Sequence, residues 1–489
     1  MSSVKRLFAE SSSYFVGNLF VILAGFISFP IMTRIFSPKD YGVFSLAIIS
    51  ISLGVSLAKC GLQHSALRFY SEFNENNHSL DRMSSYYITP IFGVAVVNLM
   101  LIGINAVILA TLRRHLDGLL LKLIPLIAII IFIKSLNNLI EVFLRAERRG
   151  VFFNVITVLN KYGSLFLSLF IVFFIEHSLS GFFTGMAISE GAILFILLFS
   201  YRDKLDIKKI SFPFLKESLS FGFPLIWMEL ANLLLSFGDR YLIEYYMGSS
   251  AVGVYSVGYN ISSMAQSVLA VPLKLAIIPI YLSVWTKKGE AETRDFLNSS
   301  LNYYFLLGIP IIIVLSLLGK DLIDTAATKQ YEGASSIIPY IIFPLIVYGG
   351  YTIFASGLFI HKKTAIIMHI TLIAAALNLL LNVLLIPRLG LTGSALATLI
   401  AYLFLVVAIA ERSSRYLKLD IRINSIIKYL VLSAGVVYFV SAYMITRPSG
   451  VRSLLFRAAA IAILYFAGII VLERDIREKA MLFMARKAG

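Results

Sequence analysis

The residues of this chain that could do chemistry are charged side chains set in apolar surroundings. Lys59, Lys134, Lys161 and Lys274 fall well inside long hydrophobic runs, as do Glu141, Glu190 and Glu229. Arg34, Arg68, Asp239 and Arg240 stand near the ends of such runs. An ionisable group near the centre of a bilayer costs about 3 kcal/mol or more, so each is a functional candidate by default. Ammonium and guanidinium groups at low dielectric hold anions such as phosphate. A carboxyl in the same setting can exchange a proton or bind Na⁺.

The elements that must position these groups are membrane helices. Of 489 residues, 58% are hydrophobic and 14% charged, and the mean hydropathy is +0.85. A soluble domain carries roughly 25% charged residues. Apolar runs long enough to cross a hydrocarbon core of roughly 30 Å recur along the chain, about fourteen in all. The connecting stretches are short, at most about 17 residues, so function is expected inside the helical bundle. The first run follows Lys5 and Arg6 without a small-residue cleavage site and is read as retained. Cys60 is the single cysteine, which excludes a disulfide framework and a cysteine metal cluster. The six His show no metal-ligand spacing, and no phosphate-cradling glycine loop occurs.

The formal charge of +16 is explained by loop composition rather than nucleic acid. With the N-terminus inside, the Lys and Arg residues fall roughly two to one on the cytoplasmic side, led by "YRDKLDIKK", "ERSSRYLKLDIR" and the C-terminal tail. Both termini are therefore expected in the cytoplasm.

The chain also repeats itself. "TRIFSPKDYGVFS" at Thr33–Ser45 is matched 211 residues later by "EYYMGSSAVGVYS" at Glu244–Ser256, and "HSLSGFFTGMAIS" resembles "RLGLTGSALATLI" with Gly181 aligned to Gly393, an offset of 212. Two matches at nearly one offset argue for a duplicated six-helix unit. Six crossings return the chain to the same side, so the copies are parallel, related by an axis along the membrane normal. The expected organisation is a first lobe at 1–210, a second at 211–416, and two further helices with a tail at 417–489.

Two stretches carry a family resemblance. "FISFPIMTRIFSPKDYGVFSLAIISISLGVSLAKCGLQHSALRFYSE" resembles the opening of the Wzx-type flippases, the polysaccharide branch of the multidrug/oligosaccharidyl-lipid/polysaccharide exporter superfamily. "FASGLFIHKKTAIIMHITLIAAALNLLLNVLLIPRLGLTGSALATLIAY" is similar to that family's tenth to twelfth helices. The resemblance implies two lobes facing a central cavity. Alternating access there would carry an undecaprenyl-diphosphate-linked oligosaccharide from the cytoplasmic to the periplasmic leaflet of a bacterial inner membrane. Fourteen spans depart from the shorter members and leave the peptidoglycan-precursor, spore-coat and teichuronic-acid branches open.

On that reading the cavity helices carry Lys59, Arg68, Lys274 and Arg240 as cargo-binding cations, and Glu229, Asp239 and Asn18 as the cation-coupling set. The repeat places the equivalent of Lys274 at position 63, one helical turn from Lys59, so the two lysines are expected on the same face of equivalent helices. The repeat equivalent of Glu229 is Asn18. The alternatives are plain. Lysines near helix ends reach to the headgroup layer, Arg68 serves equally as a positive-inside anchor, Asp239 and Arg240 form a structural ion pair, and Glu229 is a hydrogen-bonded structural carboxyl. Arg34 is assigned to carbonyls or headgroups at the outer rim. Lys134, Glu141, Lys161 and Glu190 are expected to pair within the first lobe.

No cofactor or metal is expected, and the energy source would be an H⁺ or Na⁺ gradient or the membrane potential. Expected partners are the lipid-linked oligosaccharide, membrane lipids and polysaccharide polymerase or assembly proteins, with no nucleic acid. The competing readings are a cation-coupled multidrug or metabolite exporter, which would want an acidic rather than a basic cavity, and a membrane glycosyltransferase or polymerase, which would need a long periplasmic catalytic loop.

Overall fold

The structure, a computed structural model, describes residues 3–74, 80–112, 118–444, 450–473 and 477–478, and among these it is all α. The helices run α1 (Ser3–Ile35), α2 (Pro38–Lys59), α3 (Leu62–Asn74), α4 (Leu80–Leu112), α5 (Gly118–Ala146), α6 (Gly150–Phe174), α7 (Leu179–Tyr201), α8 (Phe212–Phe237) and α9 (Asp239–Met247). They continue with α10 (Ser249–Lys288), α11 (Glu290–Ala326), α12 (Ile338–Gly349), the short α13 (Tyr351–Phe354) and α14 (Ser356–Ile360), then α15 (Thr364–Ser414), α16 (Ile423–Met444) and α17 (Val451–Leu472).

Among the described residues eleven helices are long and apolar enough to cross a membrane, or twelve if the bent pair Lys329–Ser336 and α12 is one span. The sequence reading expects about fourteen, with the apolar runs 364–387 and 391–411 counted separately. In α1 the apolar stretch among the described side chains is Leu19–Ile35, and the side chains before it, Gly17 apart, lie outside the described residues. The 51 residues of α15 would extend about 75 Å as one rod, more than twice the hydrocarbon core. Gly390, with φ 59° and ψ −137°, breaks that rod three residues after Pro387.

Large apolar side chains lie outward on many helices, among them Leu99 (62% exposed), Phe166 (67%) and Phe195 (71%). In water such surfaces would associate, whereas in lipid they face tails as apolar as themselves. Helix association then depends on close packing and polar contacts rather than hydrophobic burial.

The chain forms two compact units. The first comprises Met1–Ser28 and Val43–Tyr241, the second Phe29–Gly42 and Leu242–Gly489. Helix α8, expected to open the second lobe, belongs to the first unit, and α16 and α17 belong to the second. An aromatic core fills the first unit, where Tyr86, Tyr87, Phe143, Tyr201 and Phe214 interlock with ring centroids 4.9–6.4 Å apart. Ser178 caps α7 by accepting from the Gly181 N–H, and Ser178 and Ser180 both donate to Glu176 at 2.8 and 2.5 Å. In this connecting loop the Ser180 and Ser178 hydroxyls hold the Glu176 carboxyl below its ordinary range.

In the second unit the duplicated junctions meet. A Cβ on Gly42 would lie 1.8 Å from the Ser249 carbonyl oxygen, and one on Gly253, its repeat equivalent, 1.9 Å from the Pro38 carbonyl oxygen. Each copy's glycine thus admits the backbone of the other copy, a reciprocal contact that any side chain would block. Around it, Asn260 donates to Tyr41 at 3.0 Å and Tyr331 to the Phe36 carbonyl at 2.8 Å. Helices α16 and α17 pack along α11, with Tyr465 donating to the Leu306 carbonyl at 2.8 Å and Arg457 paired to Asp321 at 2.8 Å.

Candidate functional site

The first polar site is built where α2 stops. Lys59 is its last residue, and Cys60 and Gly61 then adopt positive φ of 46° and 77° before α3 begins at Leu62. Glycine is required at 61 for a second reason. A Cβ there would lie 2.1 Å from the Gly222 carbonyl oxygen, and one on Gly222 would lie 2.3 Å from the Gly61 carbonyl oxygen. The backbones of the break and of α8 therefore touch directly, and the Ser65 hydroxyl donates to the Ser218 carbonyl beside them. Seven residues beyond Gly222, about 10 Å along α8, stands Glu229.

Three side chains from the break converge on that carboxylate. Lys59 Nζ lies 3.1 Å from Oε1, Gln63 Nε2 donates to Oε2 at 2.8 Å, and His64 Nε2 stands 3.7 Å from Oε2. Gln63 is buried, whereas the His64 and Glu229 side chains are 38% and 29% exposed, to a cavity of about 440 Å³ also lined by Asn232 and Ser236. An isolated carboxylate would be expensive here, and an ammonium with an amide N–H offsets much of that cost. The arrangement is an anion-binding site whose anion is the protein's own Glu229.

A second polar cluster lies deeper in the same unit. Glu190 on α7 is buried and accepts from Lys134 at 2.6 Å, Asn137 at 2.8 Å and Asn160 at 3.1 Å. Lys134, Asn137 and Glu141 recur at i, i+3 and i+7 on α5, so one face of that helix carries all three. With Lys161 and Thr157 of α6 they border a cavity of about 240 Å³. The four charged residues thus gather in one place, two acidic and two basic.

The remaining candidates have other surroundings. Arg68, exposed on α3, sets its guanidinium 4.3 Å from the Phe221 ring centroid and 5.4 Å from that of Phe69. Lys274 is exposed on α10 in the second unit. Asp239 and Arg240 are 1% and 2% exposed and pair at 2.5 Å, and Arg240 also donates to the Ser236 carbonyl at 2.6 Å. Arg34 donates to the Thr325 carbonyl at 3.1 Å. The Asn18 side chain lies outside the described residues. Among the described residues no cluster of three or more His, Cys, Asp or Glu could hold a metal ion.

Gln63, His64, Asn137 and Asn160 are partners that the sequence reading passed over. Their signal was spacing: Gln63 follows Lys59 by four residues and Asn137 follows Lys134 by three.

A sequence model of polysaccharide biosynthesis proteins matches residues 31–336, well over half of the chain and both clusters within it. The chain belongs to the polysaccharide biosynthesis protein family. Within that family's wider kin, it is 22% identical over 288 residues to the "Probable low-salt glycan biosynthesis flippase Agl15" of Haloferax volcanii, covering 58% of this chain and 59% of that relative. It is likewise 22% identical over 312 residues to an uncharacterized membrane protein in the cps region of Klebsiella pneumoniae, covering 63% and 61%. The chain thus spans about three-fifths of the length of these curated relatives. In fold it is similar to the lipid II flippase MurJ in an inward closed conformation, with a TM-score of 0.74 at 16% identity over 96% of this chain and 99% of that one. The same polysaccharide-family fold is shared with an inward-facing multidrug resistance MATE transporter of the MOP superfamily, with a TM-score of 0.60 at 14% identity over 88% and 96%.

Proposed function

We propose that this protein is a flippase that moves an undecaprenyl-diphosphate-linked oligosaccharide from the cytoplasmic to the periplasmic leaflet of a bacterial inner membrane, for surface polysaccharide synthesis. It works by alternating access with both termini in the cytoplasm, and its partners include membrane lipids and the polymerase or assembly proteins that use the cargo. The observation that carries this reading is the set of donors at the α2–α3 break: Lys59, Gln63 and His64 converge on an anion beside an open cavity.

The physical need is clear. A diphosphate head faces a barrier on the order of 20 kcal/mol per ion in bare hydrocarbon, and fixed cations in a wet cavity lower it. Lys59, with Lys274, Arg68 and Arg240, supplies that charge. A potential of about 100 mV, negative inside, adds about 2.3 kcal/mol per charge moved outward, on the order of 4–5 kcal/mol for a head carrying two. An H⁺ or Na⁺ taken up by the Glu229, Asp239 and Asn18 set would reset the empty carrier. The multidrug exporter reading draws on the MATE likeness, but donors arranged around an anion suit an anionic head better than a cationic drug.

The test is rescue of surface glycan in a deletion strain, with membrane expression checked for each variant. Lys59→Ala and Lys274→Ala should each lower display and the double variant should lower it further. Normal glycan from a well-expressed double variant would remove the lysines from the cargo path.

A further inference from the structure

We infer that Glu229 is an internal stand-in for the cargo phosphate: it fills the anion position of Lys59, Gln63 and His64 when the carrier is empty, and cargo binds by displacing it. This rests on the flippase reading for the identity of the cargo but not for the existence of the site.

The geometry has the marks of an exchangeable ligand. Both Glu229 oxygens are engaged, one by Lys59 at 3.1 Å and the other by Gln63 at 2.8 Å. A purely structural pair would be expected to sit sealed in packing, but Glu229 is 29% exposed and borders a cavity of about 440 Å³, room for a phosphate beside it. The set is also incomplete around its present occupant. His64 Nε2 is buried, stands 3.7 Å from the carboxylate and makes no hydrogen bond. A diphosphate esterified at both ends has four non-bridging oxygens where a carboxylate has two, enough to engage Lys59, Gln63 and His64 together. The first turn of α3 adds the positive end of a helix at the same place.

The donors are held independently of Glu229. Gly61 and Gly222 in backbone contact, with Ser65 on the Ser218 carbonyl, fix the break against α8 without the carboxylate. Release of Glu229 would therefore leave the anion site standing. The exchange also gives a route to unloading, because a returning carboxylate competes for the same donors.

The experiment measures binding of inorganic pyrophosphate and inorganic phosphate to the purified full chain in detergent. In parallel, the same protein in nanodiscs is offered undecaprenyl diphosphate or, as a general anionic lipid, phosphatidylglycerol. Glu229→Gln removes the competing charge and should tighten pyrophosphate binding about tenfold or more over the parent. Lys59→Ala should abolish that gain when combined with Glu229→Gln. Glu229→Asp, which shortens the reach while keeping the charge, gives an intermediate gain and serves if the Gln variant does not fold. Tightening by undecaprenyl diphosphate but not phosphatidylglycerol assigns the site to the diphosphate head, whereas equal tightening by both would overturn cargo displacement in favour of general lipid binding. Equal pyrophosphate affinity of parent, Glu229→Gln and Glu229→Asp would overturn the inference. Tightening in Glu229→Gln, together with failure of the well-expressed parent protein to restore surface glycan to the deletion strain, would leave the anion site intact and refute the flippase reading alone.

Discussion

Replacing Gly222 by Ala tests how the fold makes the site. The added Cβ would lie 2.3 Å from the Gly61 carbonyl oxygen, about 1 Å inside ordinary contact, and 2.9 Å from the Ser65 hydroxyl. The obstacle is backbone, so α3 and α8 must separate rather than a side chain turn aside. Overpacking of this kind costs about 1–3 kcal/mol. The same separation would carry Gln63 and Lys59 away from Glu229, where 1 Å ends a hydrogen bond of 2.8 Å. Gly103→Ala is the control: it lies in α4 with nothing within 4 Å of its Cβ and should stabilise by up to about 1 kcal/mol. The assay is thermal unfolding of the purified proteins in one detergent, paired with surface-glycan rescue. The expected result is a lowered Tm and reduced glycan for Gly222→Ala, with both preserved in Gly103→Ala. Unchanged Tm and full rescue in Gly222→Ala would refute the close contact and the positioning argument built on it.

Three further outcomes follow from the same contacts. Glu190→Ala strips Lys134, Asn137 and Asn160 of their shared acceptor and should cost about 3 kcal/mol, the lower end for a broken buried pair because Lys134 is 33% exposed; Lys134→Met should recover part of the lost Tm in the double variant, and additive losses would contradict the pairing. Arg240→Ala removes both the 2.5 Å partner of buried Asp239 and one of the proposed cargo cations, so a lowered Tm together with weaker pyrophosphate binding is expected; a stable Arg240→Ala protein with parental pyrophosphate affinity would remove Arg240 from the cargo path. Gly253→Ala should disturb the second unit as strongly as Gly42→Ala, because the contact is reciprocal, and a tolerant member of the pair, judged by Tm, would contradict it.

The membrane class and all-helical fold were legible because lipid imposes long apolar runs. The duplicated junction was legible too, and its purpose became visible only in three dimensions, where Gly42 and Gly253 admit each other's backbone. The break after Lys59 was not legible. The polar residues Gln63, His64 and Arg68 follow Gly61 closely, but Leu62, Ala66 and Leu67 between them prolong the apolar run, so the two residues of positive φ were read as the interior of one span. Partner choice was hidden for a related reason. Lys59 and Glu229 are 170 residues apart, and the sequence marks each as costly without saying which lies beside which. The break at Gly390 was legible, since the expected runs 364–387 and 391–411 flank it, whereas the 58° bend between Lys329–Ser336 and α12 lay hidden inside one apolar run.

The central claim is that the chain moves a lipid-linked diphosphate through a site built on Lys59. Its most direct test is translocation in proteoliposomes loaded on one leaflet with an undecaprenyl-diphosphate-linked oligosaccharide and probed by a glycosidase that cannot cross the membrane. The account predicts that the parent protein exposes the glycan to the enzyme with time, faster with the membrane potential directed to draw anions across, and that Lys59→Ala slows exposure about tenfold. Exposure at the rate of protein-free liposomes by a folded, correctly inserted parent protein, or equal rates for parent and Lys59→Ala, would contradict it.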